Sequence, residues 1–281
     1  MRLKVFALFV AVQLASFFAW KTLVSGDTAV PTQEPLSIAQ HAVAETVGSE
    51  ATVVTAKKPK IITPDFDTRY LDDAQATLNS EQKEDILMAF SKLPEGHIAS
   101  VKTVTLDYNK EAYRGLGGAN KIILRATDVS EKELLSVFIH ETGHNVDYGF
   151  LAPANKNQKS TFKDGSQPLY TSDPSIIFYQ ISWEDEETMK KGVNNMDFVS
   201  GYAMSDPFED FAETYCFYVL HNKDFKAMTA SSSKLYSKYV FMRDFVFNGT
   251  EFNTGDAEIK LNKRTWDITL LDYDFDNFLF S

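Results

Sequence analysis

His140-Glu141-Thr142-Gly143-His144 sets two imidazoles four residues apart, with a carboxylate beside the first. On a helix that spacing puts both rings on one face, a turn apart, where two ring nitrogens reach a single Zn2+ at ~2.0–2.1 Å. Glu141 then lies beside the ion rather than on it. A carboxylate in that place takes a proton from a zinc-activated water and returns it to a leaving amine. Leu134, Leu135, Val137, Phe138 and Ile139 precede the motif as a nearly continuous apolar run, so the helix is expected to be deeply buried. Buried histidines and a glutamate require a partner charge. A helix that merely displays surface histidines would not carry that run.

A catalytic zinc needs a third protein ligand and an open fourth position. One solution is a third histidine ten residues after the first, with glycine seven after it. Here those positions hold Phe150 and Asp147, so that solution is excluded. The remaining candidates are carboxylates on a later helix, and Glu209 and Glu213 share a helix face among Phe208, Phe211 and Ala212. One of them can bind zinc while the other accepts a hydrogen bond from a ligand imidazole and fixes its tautomer. Asp206 and Asp210 read instead as acids that complement the start of their helix. Tyr202, just upstream, offers a phenol that can donate to an oxygen gaining negative charge as a carbonyl is attacked.

HETGH, followed by Tyr202 seven residues before Glu209 in a Glu209-Asp210-Phe211-Ala212-Glu213 segment, resembles the gluzincin zinc metallopeptidases related to anthrax lethal factor and the Pro-Pro endopeptidases. The resemblance covers residues 130–147 and 200–220. It implies an α+β, zincin-like domain with an HExxH active-site helix and a second helix carrying the third ligand. It also implies that Glu209 is that ligand beside His140 and His144, that Tyr202 stabilises the oxyanion, and that Glu213 supports the site from behind the metal. The chain departs from the pattern in the 65 residues separating His144 from Glu209. The insertion, about 150–198, is expected to form a loop near the cleft, so substrate preference is not carried over. In zincins an edge strand above the active-site helix pairs with extended substrate, and Lys121–Ala126 is the expected strand.

The elements that must position these residues follow from periodicity and punctuation. Asn79-Ser80-Glu81 opens a helix to about Leu93, which Pro94 ends, and Ser100–Asp107 alternates as a strand. Gly115–Gly118 reads as a turn; no Lys-Ser/Thr pair follows, so it is not a phosphate loop. Lys121–Ala126 is a strand. Ser130 and Glu133 form a capping box for a helix from Glu131 to about Asp147. Residues 150–182 look like a long loop. Asp206-Pro207 starts a helix to about His221, with proline where its missing N–H costs nothing. Thr265–Phe280 alternates as a docked strand. His97 and His221 are expected to face solvent, as is the acidic run from Trp183 to Glu187. Cys216, the single cysteine, is expected to be a buried small residue.

The chain of 281 residues carries 28 basic and 39 acidic side chains, a net charge of −11. An acidic surface repels phosphate backbones, so nucleic acid is not an expected partner. One cysteine excludes a disulfide framework and a cysteine-rich zinc finger. Arg2 and Lys4 precede an apolar run from Val5 to Trp20, the order of a signal peptide or signal anchor over residues 1–24. Residues 25–60, rich in Ala, Thr, Ser and Pro, read as a disordered linker or pro-segment with a short helix around Leu36–Glu45. Residues 61–281 form the expected metallopeptidase domain. The expected protein is thus secreted or extracytoplasmic, touching the membrane only through an uncleaved anchor at residues 5–20. It is expected to be monomeric, to use Zn2+ and to cleave peptide or protein substrates. The competing readings are an extracellular binding or adhesion protein on an inactive scaffold, and a zinc amidase acting on cell-wall material.

Overall fold

The computed structural model describes residues 63–254 and 263–280, all within the unit Ile61–Ser281. The leader, the linker and the helix expected at Leu36–Glu45 lie outside the described residues. Among those described, no helix is long and apolar enough to cross a membrane.

Four strands form the principal sheet: β1 (Asp65–Arg69), β2 (Thr103–Asp107), β3 (Gly115–Gly118) and β4 (Lys121–Arg125), in the order β1-β2-β4-β3. The first three in that order are parallel, and β3 runs antiparallel to β4 with Gly115 opposite Leu124. Val104 and Leu106 on β2 and Ile122 and Leu124 on β4 sit at alternate strand positions and are fully buried. Two expectations are corrected here. Gly115–Gly118 is a strand rather than a turn, and it forms the edge of the sheet, whereas Lys121–Arg125 lies inside it. Glycine has low strand propensity, so local composition conceals a strand whose glycines answer to close packing instead.

Helix α1 (Ala76–Lys92) begins three residues earlier than Asn79, because Asp72 and Gln75 cap a preceding 3-10 turn that feeds into it. Asn79 is then an interior residue, its side chain donating to the Tyr108 hydroxyl at 3.1 Å. A short helix α2 (Glu95–Ser100) takes up the start of the strand expected at Ser100–Asp107. Helix α3 (Glu131–Asn145) carries HETGH and buries every residue from Leu134 to Asn145. Phe138 meets Phe90 of α1 edge-on at 4.8 Å. Ser130 caps α3 by accepting from the Glu133 N–H, but the reciprocal half of the box is missing: the Glu133 carboxylate pairs with Arg114 at 3.0 Å. Beyond Asn145 the chain loosens into a π-type turn, Val146–Phe150.

The segment expected to be a long loop is structured. It holds a hairpin, β5 (Lys159–Asp164) and β6 (Gln167–Tyr170), and helix α4 (Ser175–Ser182). Gly165 closes the hairpin at φ 54°. Phe162, Phe178, Tyr179 and Trp183 are all buried, so the turn-forming residues around them mask an apolar content large enough to join the core. Trp183 therefore does not belong to a solvated face, although Glu186 beyond it pairs with Lys163 at 3.1 Å.

Helix α5 (Pro207–Leu220) is capped by Asp206, whose carboxylate accepts from the N–H groups of Phe208 and Glu209 at 2.9 and 2.8 Å. Helices α6 (Asn222–Met228), α7 (Ser233–Phe241) and α8 (Phe275–Phe280) complete the α+β fold. The expected terminal strand is instead a 3-10 turn at Ile268–Leu270 followed by α8. Asp267 and Asp274 accept from backbone N–H groups two and three residues on, at 2.8 and 3.0 Å, which bends the chain where a strand would continue. Tyr273 and Phe278 still dock into the core.

His97 and His221 are also corrected, since both are buried rather than solvent-facing. The His97 ring lies 2.9 Å from both the Tyr215 hydroxyl and the Val246 carbonyl. Burial pushes the pKa of each down to about 4, so both are neutral core residues. Cys216 is buried on α5.

Candidate metal centre

The site depends on how closely α3 and α5 approach. Gly143 lies at their contact, where a Cβ would come 3.0 Å from the Ala212 Cα and 3.1 Å from the Tyr215 Cβ. That absent side chain lets carboxylates on α5 reach imidazoles on α3. Glu209 Oε2 stands 3.2 Å from His140 Nε2 and 3.5 Å from His144 Nε2. The two rings are 5.1 Å apart, centre to centre. Among the described residues, His140, His144 and Glu209 are the group whose donor atoms converge closely enough to hold a metal ion, all within 4.8 Å of one another.

The donor set fits zinc. Ligands ~2.0–2.1 Å from a tetrahedral ion sit about 3.3–3.4 Å from one another, which the two short distances match. Glu209 Oε2 is buried and accepts no hydrogen bond. On the other side of the first ring, His140 Nδ1 lies 2.9 Å from Glu213 Oε1. If Nδ1 carries the proton donated to Glu213, the Nε2 lone pair faces the Glu209 carboxylate. Two electron-rich atoms at that separation need a cation between them. Burial opposes charge on His140, yet Glu209 and Glu213 raise its pKa well above that of a free imidazole. Burial likewise works against the Glu209 carboxylate, while His140 and His144 hold its pKa well below the usual range. Protons and a metal ion thus compete for one place, and metal uptake releases protons.

Glu213 is the hub behind the converging His140, His144 and Glu209 side chains. Fully buried, it takes His140 Nδ1 on one oxygen; on the other it accepts from Ser200 Oγ at 2.5 Å and from the Ile268 N–H at 3.0 Å. Three donors satisfy this carboxylate and fix the imidazole. Sequence reasoning misses Ser200 and Ile268, because nothing in their type or spacing marks them.

Glu141 is buried on the flank of the two histidines, under β3. Burial raises its pKa, while His140 and His144 pull the other way. A Cβ on Gly115 would overlap its carboxylate, and one on Gly117 would come 2.8 Å from Oε2 and 2.6 Å from the Glu141 carbonyl. The Gly117 N–H donates to the carboxylate. Because the Arg125 N–H bonds the Arg114 carbonyl, the antiparallel pattern turns the backbone groups of Gly115 and Gly117 toward the open edge. The Asn145 amide on α3 donates to the Gly118 and Lys121 carbonyls and pins this strand to the helix that carries the histidines. Tyr202 stacks over His140 at 6.2 Å with 27° between the rings. Burial and the neighbouring Glu209 push its pKa well above that of a free phenol.

Asp210, next to Glu209, is not an exposed acid that complements a helix end. It is fully buried and pairs with the equally buried Lys238 at 2.7 Å. It also accepts from Trp183 Nε1 at 3.0 Å. The Lys238 ammonium further donates to the Asp197 carbonyl at 3.1 Å and lies 4.0 Å above the Phe198 ring. The network ties α5 and α7 to the segment that continues to Ser200 and Tyr202.

A family model described as a putative zinc-binding metallo-peptidase matches residues 117–265, more than half of the chain. The matched stretch contains HETGH, Tyr202, Glu209 and Glu213. No curated protein and no solved structure matches the chain.

Proposed function

The chain belongs to this zinc-binding metallo-peptidase family, and we propose that it is a gluzincin-type endopeptidase in the manner of the lethal factor and Pro-Pro endopeptidase group. The observation that carries the reading is the position of the Glu141 carboxylate, under an open glycine strand and beside a convergent His–His–Glu donor set.

In this reading His140, His144 and Glu209 would hold Zn2+. Zinc supplies Lewis acidity, making water acidic enough to lose a proton near pH ~7 and polarising a carbonyl. An extended peptide adds to the edge of β3, using the outward N–H and carbonyl of Gly115 and the outward carbonyl of Gly117, whose N–H is held by Glu141. Glu141 takes the proton of the attacking water and passes it to the leaving amine; its raised pKa suits a group that must first hold the proton and then give it up. Tyr202, kept protonated, donates to the oxygen that gains charge. Glu213 keeps His140 in one tautomer and one orientation.

The proposal extends to residues 61–281 as the catalytic unit and to export of the chain by its leader, with residues 5–20 as anchor if uncleaved. The order of charge and apolar residues at 1–24 supports export.

A peptide-library digest with the full chain tests the function. Cleavage should disappear on chelation and return when zinc is restored. Cleavage that survives complete removal of metal would contradict the reading.

A further inference from the structure

Trp266 is a large apolar side chain that the fold leaves 66% exposed. It is nevertheless firmly placed. The Thr265 and Trp266 carbonyls accept from the N–H groups of Gly201 and Tyr202 at 2.8 and 2.6 Å. Gly201 has φ −69°, a backbone conformation open to any residue. What excludes a side chain there is the indole itself, since a Cβ on Gly201 would come 2.7 Å from Trp266 Cε3. The indole lies 6.3 Å from the Tyr202 ring, and Tyr202 stacks over His140. An aromatic wall therefore runs from a metal-site histidine out to solvent. Beyond Trp266, Asp267 bridges to Arg114 at 2.7 Å, and Arg114 leads directly into β3. Tyr113, 78% exposed, precedes that arginine.

We propose that Trp266 is a specificity-determining residue whose indole takes an apolar, preferentially aromatic, side chain of the peptide next to the scissile bond. The inference rests on the peptidase reading above. A substrate strand laid on β3 alternates its side chains, and one directed toward the wall opposite meets the indole beside Tyr202. Covering exposed indole with another apolar surface is favourable, and ring-on-ring contact adds to it. Asp267, next in sequence, is already paired with Arg114 at 2.7 Å and so is not offered to a basic side chain.

The full-length wild type, Trp266→Ala and Trp266→Phe should be run on one peptide library. The wild type should prefer apolar residues at one position within two residues of the cut. Trp266→Ala should lower kcat/KM for those peptides by about tenfold, leave peptides with glycine at that position nearly unchanged, and retain its zinc. Trp266→Phe should restore most of the preference. A second readout needs no turnover. In Glu141→Gln protein, an apolar peptide should shift the tryptophan emission to the blue, and Trp266→Ala should abolish the shift. An unchanged cleavage profile in Trp266→Ala, or a wild-type preference for charged residues at that position, would overturn the proposal. A wild type that binds zinc and cleaves nothing would instead contradict the peptidase reading, and the emission shift would still decide the role of Trp266.

Discussion

Glu209 and Asp210 are consecutive on α5, yet they face two different kinds of polar cluster. Asp210 points into the core, where Lys238 and Trp183 satisfy it with charge and hydrogen bonds supplied by the chain. Glu209 points toward the cleft, where its partners are two imidazole nitrogens and the Tyr202 hydroxyl, and its Oε2 accepts no hydrogen bond. A buried charge closed off by its own neighbours acts as structure. One that keeps an oxygen without a hydrogen bond beside imidazole lone pairs is half of a site, completed by a cation from outside.

The sharpest way to break that distinction is to open the closed cluster. Lys238→Ala leaves Asp210 buried without its cation and should cost about 3–5 kcal/mol of stability, read by urea denaturation. Pairing Lys238→Met with Asp210→Leu should recover most of that loss, because the desolvation of both charges disappears together. On the open side, Glu209→Ala should remove stoichiometric zinc binding, with a loss greater than the ~10–100-fold typical of residues that only support a ligand. Glu213→Gln belongs to that supporting class and should weaken zinc by about 10–100-fold in a competition titration with a chelating dye.

The smallest expected effect concerns an orphan that is not a site. Both ring nitrogens of His221 are buried without a hydrogen-bond partner, but the group is neutral, its pKa pushed down to about 4. The unfolded chain takes up this proton below pH ~6.5 and the folded chain does so only near pH 4, so native stability falls as pH drops through that window. His221→Phe should therefore match the wild type near pH 7.5 and exceed it by about 1 kcal/mol at pH 5.5. An equal stability difference at both pH values would show that the histidine is not held neutral.

Much of this division was legible in the sequence where a local rule applied. Fourfold spacing places His140 with His144 and Glu209 with Glu213 on single helix faces, and Asp206-Pro207 marks the start of α5. What escaped was non-local. Gly115–Gly118 has the composition of a turn; only the proximity of Glu141 explains why the edge strand is made of glycine. Asp210 has the sequence position of a helix-end acid, and only Lys238, 28 residues later, reveals the ion pair. The hairpin and α4 were obscured by turn residues flanking short apolar stretches, and His97 and His221 by the absence of any pattern separating a buried histidine from an exposed one.

The central claim is that the His–His–Glu set with Glu141 forms a hydrolytic zinc centre. The most direct test measures zinc content and peptide turnover together in the wild type and Glu141→Gln. The account predicts one zinc per chain in both proteins, with turnover reduced at least ~100-fold in the variant. Equal turnover in the two, or a wild type that takes up no zinc, would contradict it.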